Sequence, residues 1–386
     1  MEPMRIGDGS RHRADLSDMA LQLAARSAGF RSSLPAGVRA ALAALVRSMN
    51  CYFSNLIEGH DTHPVDIERA LNNDYSDDSR KRDLQFGAKA HIAIQKWIDE
   101  GGLSGRVAKV DGIRDIHRRF CEALPETLLW AEDPQTGERH RVEPGEFRKH
   151  DVKVGGHIPV SPGSLPRFMT HFEEAYVRLG KVDLIVSTAA AHHRLLWVHP
   201  FLDGNGRVAR LMSHGMLLET LDTGGVWSVA RGLARSVEKY KSLLANCDLP
   251  RRNSLDGRGN LSEEALADFT RFFLEVCRDQ VAFMGELVQP ERLSVRIRLW
   301  VEEEIRLGRL PPKSGSVLDA ILYRGELPRS DIASVVGASD RHGRRIVSSL
   351  VENGVLSSES PRSPLRLVFP ARLASRWLPG LFPDRF

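Results

Sequence analysis

The chain predicts a mainly α-helical protein with one small β-hairpin in its middle and a separate C-terminal winged helix-turn-helix domain. Three observations carry that reading. Apolar residues recur at helical spacing through most of the first 290 residues; one short stretch alternates apolar and polar residues around a glycine pair; and the last hundred residues run helix, helix, turn, helix, then two short apolar strands.

In order, "LPAGVRAALAALVRSMNCYFSNLIEG" enters through a proline, keeps a helical apolar pattern and stops at Gly59; "DSRKRDLQFGAKAHIAIQKWIDEGG" is a second helix ending in a glycine pair. The middle region predicts helices at 111–123, 165–178, 183–197 and 205–221. Between the first two of these, "HDVKVGGHIPVSP" alternates Val152, Val154, Ile158 and Val160 around Gly155 and Gly156, the pattern of a hairpin. The C-terminal unit predicts helices at 316–324, 329–336 and 341–353 with the turn "GASD" before the third, an order that resembles a winged helix. The expected division is an N-terminal helical region at 1–105, a middle domain at 106–290 and a C-terminal domain at 291–386.

Composition bounds the function classes. A hydrophobic fraction of 42%, a charged fraction of 27% and a net charge of +4 describe a globular chain without a general affinity for nucleic acid. No apolar run reaches a membrane span and "MEPMRIGDGSRHRADL" has no signal-peptide core, so the expectation is a cytoplasmic protein with no membrane partner. Cys51, Cys121, Cys247 and Cys277 form neither a CxxC pair nor a Cys/His cluster, which predicts buried free thiols. The tandem His192 and His193, on an apolar helix without a third ligand in register, read as packing or surface residues rather than metal ligands.

The densest chemistry lies in "HPFLDGNGRVAR", residues 199–210, a loop feeding a helix N-terminus. Gly204 and Gly206 permit backbone conformations closed to other residues, so that amides around Asn205 converge on one anion with help from the helix dipole. Asp203, at the lip, is placed to hold Mg²⁺ that keeps its other sites for water and phosphate oxygens. Arg207 and Arg210 add fixed positive charge for further phosphates and are expected to look outward to the loop, opposite the packed face of Val208, Met212 and Met216. His199 is placed to take a proton from an incoming hydroxyl. The sum is a nucleoside triphosphate site with a base beside it, suited to attack of a hydroxyl on phosphorus.

These twelve residues resemble the signature of Fic-domain proteins, His-x-Phe-x-Asp/Glu-Gly-Asn-Gly-Arg-x-x-Arg, and "PGEFRKHDVKVGGHIPVSP" resembles the family's segment leading into its flap, with Phe147 where an aromatic is usual. The resemblance implies a mostly helical core and transfer of AMP from ATP to a Ser, Thr or Tyr hydroxyl of a target protein. It makes His199 the base, Asp203 the Mg²⁺ ligand, Gly204, Asn205 and Gly206 the anion cradle, and Arg207 and Arg210 the phosphate-binding arginines. It also makes the hairpin a flap that pairs with the target, with Val154 and Ile158 as contact positions. Upstream, "SNLIEGH" resembles the family's inhibitory motif through Ser54, Glu58 and Gly59, which implies that the Glu58 carboxylate competes with the γ-phosphate for Arg210. A plain helix end capped by Gly59 is the structural alternative.

Two other functions compete with an autoinhibited AMP-transferring enzyme. The same cradle could serve transfer of another nucleotide or of phosphate, or the chain could be a DNA-binding regulator whose core only senses ATP. For the C-terminal domain, Arg341, His342, Arg344 and Arg345 open the third helix, where a recognition helix meets DNA; a protein-interaction or homodimerisation surface is the weightier alternative.

Overall fold

The computed structural model describes residues 1–132 and 136–382. Its contacts divide the chain into two units. The first comprises Met1–Ser27, Asn50–Thr223 and Ser228–Gln280; the second comprises Ala28–Met49, Gly224–Trp227 and the chain from Val281 on. The three stretches expected at 1–105, 106–290 and 291–386 are thus distributed over two interleaved units.

The helices are α1 (Arg13–Ser32), α2 (Ala36–Ile57), α3 (Pro64–Leu71), α4 (Ser79–Asp99), α5 (Val110–Glu122), α6 (Leu165–Tyr176), α7 (Lys181–Val198), α8 (Asn205–Leu221), α9 (Val229–Arg235), α10 (Val237–Asn246), α11 (Glu263–Leu287), α12 (Pro290–Arg306), α13 (Ser314–Arg324), α14 (Ile332–Val336), α15 (Asp340–Glu352) and α16 (Ala374–Trp377). In the first unit α7 lies along α8, with α4, α5 and α6 around the pair. Ala189, Ala190 and Ala191 give α7 a thin waist that lets α8 approach, and α8 is buried on nearly every side. A helix so enclosed must satisfy its polar side chains internally. The tandem histidines do so as packing residues: His192 bonds Ser213 Oγ (2.9 Å) and Tyr240 Oη (2.7 Å), and His193 bonds Asp248 Oδ1 (3.0 Å). All four cysteines are free and buried; burial pushes the thiols of Cys51, Cys121 and Cys247 up to about 12, which leaves them unreactive.

The β structure departs from expectation. At 152–160 there is one bridge, Val154 with His157, closed by two main-chain bonds of 3.0 Å around Gly155 (φ 59°), rather than a hairpin of two strands. The ladder of this unit lies upstream: β1 (Trp130–Glu132) pairs antiparallel with β2 (Arg139–Arg141), Trp130 opposite Arg141. "WAE" and "RHR" have no buried face, so no apolar alternation marked them.

In the second unit α12 packs on α13 and α16, with Trp300 edge-on to the fully buried Trp377 (5.2 Å). α13, α14 and α15 follow one another, α15 capped by Ser339 Oγ on the His342 amide, and the antiparallel pair β3 (Leu356–Ser357) and β4 (Arg366–Leu367) closes the order. No helix among the described residues is long and apolar enough to cross a membrane.

Candidate active site

The site is the link between α7 and α8. His199 ends α7 in the left-handed region (φ 50°, ψ 62°), its amide on Leu195 O at 2.9 Å, and Pro200 prevents the helix from continuing. Phe201 is fully buried and stacks on His117 of α5, centroids 3.9 Å apart and rings 2° from parallel. Asn205 closes the loop on itself: its Oδ1 accepts from Phe201 N (3.0 Å) and its Nδ2 donates to Phe201 O (2.8 Å). Its side chain therefore shapes the cradle from behind, while the amides of the first turn of α8, which have no intrahelical acceptor, face the opening.

The two glycines serve different ends. Gly204 is the N-cap of α8 at φ 80°, a conformation costly for any other residue. Gly206 sits at ordinary helical φ, against expectation, with the Glu58 carboxylate beside it: a Cβ there would lie 2.4 Å from Glu58 Oε1, so that side-chain end would have to shift. Arg207 is half-buried over the Phe120 ring (5.1 Å) and makes no ion pair among the described residues. It lines a cavity of about 310 Å³ with Asp203 and Gly204. The Asp203 carboxylate is exposed, without a side-chain hydrogen bond or ion pair among the described residues, and no cluster of three or more His, Cys, Asp or Glu forms a metal site there. A single open carboxylate beside a phosphate cradle fits Mg²⁺, which dehydrates reluctantly and takes few protein ligands.

Arg210 does not look outward. Its side chain is only 4% exposed, with Nε donating to Ser54 Oγ (2.8 Å), Nη2 to Ser54 O (3.4 Å) and Nη2 to Glu58 Oε1 (2.5 Å). The helical period of α8 marks 210 as polar, but a polar residue can be buried once another helix supplies its partners. Those partners come from the end of α2. Gly59 (φ 81°) and His60 terminate it with the amides of 59 and 60 on the carbonyls of Leu56 (3.1 Å) and Asn55 (2.9 Å), a Schellman arrangement that leaves Glu58 as the last residue before the turn. Burial raises the cost of the Glu58 charge; the charge and hydrogen bond of Arg210, with Arg207 and His60 nearby, outweigh it and hold the carboxyl below its usual range. A carboxylate at a helix C-terminus opposes the helix dipole, so α2 by itself does not favour it.

His199 faces a second cleft of about 550 Å³, whose other walls include Glu132, His140, Val154 and Ile158. Val154 and Ile158 are 43% and 75% exposed. Burial first, then the charges of Arg148 and His157, push the imidazole down to about 4 against the opposing pull of a backbone bond at Leu196 and of Asp203. The ring is neutral near pH 7, the form that accepts a proton.

Two residues escaped sequence reasoning. His117, held by the Gly145 amide on Nδ1 (2.9 Å) and by the Asp203 main chain, clamps the loop from α5, and burial keeps it neutral, its pKa lowered to about 4. Arg148 donates to the His199 carbonyl at 2.8 Å. Neither stands in a spaced motif with the loop; only packing brings them there.

A loop-fed helix N-terminus with two arginines, an open carboxylate and a neutral histidine on a helical scaffold has the chemistry to hold phosphate oxygens beside a proton acceptor. Residues 108–217 match the model of the Fic/DOC family. Among curated relatives, the protein adenylyltransferase Fic of Drosophila erecta is 42% identical over 125 residues, covering 32% of this chain and 22% of that protein. The Aedes aegypti protein of the same name is 38% identical over 109 residues, 28% of this chain and 19% of that one. The chain thus spans about a fifth of the length of the curated relatives it matches. In fold it is similar to a Fic family protein from Desulfovibrio desulfuricans G20 (TM-score 0.54, 15% identity, 94% of this chain and 98% of that one). It is similar also to Fic-1 (aa134–508) from C. elegans (TM-score 0.51, 18% identity, 70% and 72%).

Proposed function

We propose that this chain is an autoinhibited protein adenylyltransferase of the cytoplasm, which transfers AMP from ATP to a hydroxyl side chain of a target protein. The triphosphate lies over the first turn of α8, its outer phosphates on Arg207 and Arg210. Asp203 would hold Mg²⁺, which would supply neutralisation of the phosphate charge. A target segment laid along Val154 and Ile158 brings its hydroxyl to His199. The hydroxyl oxygen attacks the α-phosphorus, its proton passes to the neutral imidazole, the bond from the α-phosphorus to the bridging oxygen breaks, and pyrophosphate leaves. The protein's part is positioning and charge stabilisation.

The observation that supports this reading most is the place of the Glu58 carboxylate. It stands on Arg210 and against Gly206, so the cradle already holds an anion, and that anion belongs to the chain itself. The resting state is therefore read as one in which the γ-phosphate position is filled.

The test is mass spectrometry of purified protein with ATP and Mg²⁺. Glu58→Gly is expected to gain AMP on itself well above wild type, and Glu58→Gly with His199→Ala to gain none. Wild type as active as Glu58→Gly would remove the autoinhibition; a gain of phosphate in place of AMP would move the reading to phosphoryl transfer.

A second reading concerns the C-terminal domain as a winged helix that binds duplex DNA. It is favoured by Arg341, Arg344 and Arg345, exposed at the start of α15 without ion pairs among the described residues. A mobility shift at low salt, lost in Arg341→Ala with Arg345→Ala while AMP transfer persists, is the expected result. No shift for the intact chain would leave this surface to a protein partner or a second copy.

A further inference from the structure

Arg148 is buried next to the root of the flap and forms no ion pair among the described residues. Its guanidinium is spent on three carbonyls. Nε donates to His199 O (2.8 Å), Nη1 to His150 O (2.9 Å) and Nη2 to Val160 O, while its own amide donates to Pro200 O (2.9 Å). His150 and Val160 bracket the flap; His199 and Pro200 are the base and its neighbour, 51 residues further along the chain. A buried cation is costly unless every donor is used, and three divergent carbonyls match a planar fork rather than a point charge. The His199 carbonyl also lies at the C-terminus of α7, the negative end of that helix, which favours a cation there.

We propose that Arg148 is a positioning residue that holds both roots of the flap and the main chain of His199 in one register, so that a segment docked on the flap meets the imidazole at a set distance. The part of this inference that concerns transfer rests on the adenylyltransferase reading; the register itself does not. His157 supplies a lesser tie, its Nε2 on Trp197 O at 2.7 Å, which joins the flap's turn to α7 without reaching its roots. Arg148 contributes charge as well, since after burial it is the largest influence lowering the imidazole's proton affinity.

The experiment compares Arg148→Lys and Arg148→Met, each in the full chain carrying Glu58→Gly. Lysine keeps the charge but cannot span the three carbonyls, and it guards against a methionine variant that fails to fold. Hydrogen exchange read on peptides covering 150–160 and 197–204 is expected to quicken about tenfold or more in both segments together, with the buried body of α8 unchanged. The turnover of AMP transfer to a target is expected to fall about 100-fold, with ATP affinity within about twofold of the parent. Loosening of one segment alone, or of neither, overturns the register. Transfer in Arg148→Lys that recovers in step with its melting temperature reduces Arg148 to a structural residue and also overturns the proposal. If the Glu58→Gly parent transfers nothing, the adenylyltransferase reading falls, and the exchange data still decide the register.

Discussion

At the scale of single residues, the behaviour of His199 follows from what surrounds it. An unperturbed imidazole loses half of its basic form near pH 6.5. Here burial and the Arg148 charge lower the pKa to about 4, so the ring stays neutral and able to accept a proton through the whole neutral range. Transfer by the Glu58→Gly protein, measured as kcat/KM, should therefore stay flat from pH 8 to about 5 and fall only as pH approaches 4. An acid limb centred near 6.5 would mean a solvated histidine and contradict the burial argument. His199→Ala should abolish transfer at every pH while keeping ATP affinity, because the cradle is built by Gly204, Asn205 and the α8 amides.

At the scale of elements, the end of α2 does two things with one turn. Gly59 closes the helix, and the same turn aims Glu58 at Arg210. The helix cap and the pairing of Glu58 with Arg210 are made by the same turn: the cap is the means by which the carboxylate is aimed. A Cβ on Gly59 meets open space, so Gly59→Ala carries only the cost of left-handed backbone, about 1–2 kcal/mol. The expected outcome is a lower melting temperature together with self-modification intermediate between wild type and Glu58→Gly. A lower melting temperature with wild-type activity would separate the cap from the inhibition. Removing Glu58 itself leaves Arg210 buried beside Ser54, and its partner is 36% exposed, so water can enter where the carboxylate stood. The destabilisation should accordingly be smaller than that of breaking a fully buried pair.

At the scale of the whole molecule, the first unit encloses histidines that must stay neutral. Burial lowers His91 and His192 to about 3 and His117 and His193 to about 4, and His199 joins them. In each case the folded pKa lies below the unfolded value of about 6.5, so between the two the unfolded chain binds more protons, and stability rises with pH. The stability these groups contribute is complete above about pH 6.5 and is lost progressively as pH falls toward 4. Each tenfold loss of proton affinity on folding corresponds to about 1.4 kcal/mol. Thermal unfolding should therefore show a melting temperature that falls between pH 7.5 and 5, well before carboxylates such as Glu58, held below their usual range, begin to protonate. A flat melting temperature across that interval would mean that these rings are solvated in the folded protein.

What could be read from the chain alone was local. His199 to Arg210 is contiguous, and a Pro-blocked helix end, a Gly N-cap and a short loop set their own geometry over a few residues; the amphipathic helices likewise follow from periodicity. The helix, helix, turn, helix, two-strand order of the C-terminal unit was legible for the same reason. Short-range signals fail where a residue's role depends on a partner far along the chain. Arg210 carries the pattern of an outward arginine yet is buried, because Ser54 and Glu58 lie 156 and 152 residues away. Gly206 reads as a flexible turn residue yet keeps helical backbone with the Glu58 carboxylate directly beside it. Arg148 lies in the segment quoted for its resemblance, but nothing there marks the three carbonyls it meets, and 152–160 has one bridge where alternation promised two strands. Sequence pattern records which residues want to be buried or turned, whereas tertiary packing decides which charge each buried charge meets, as Glu58 meets Arg210 here.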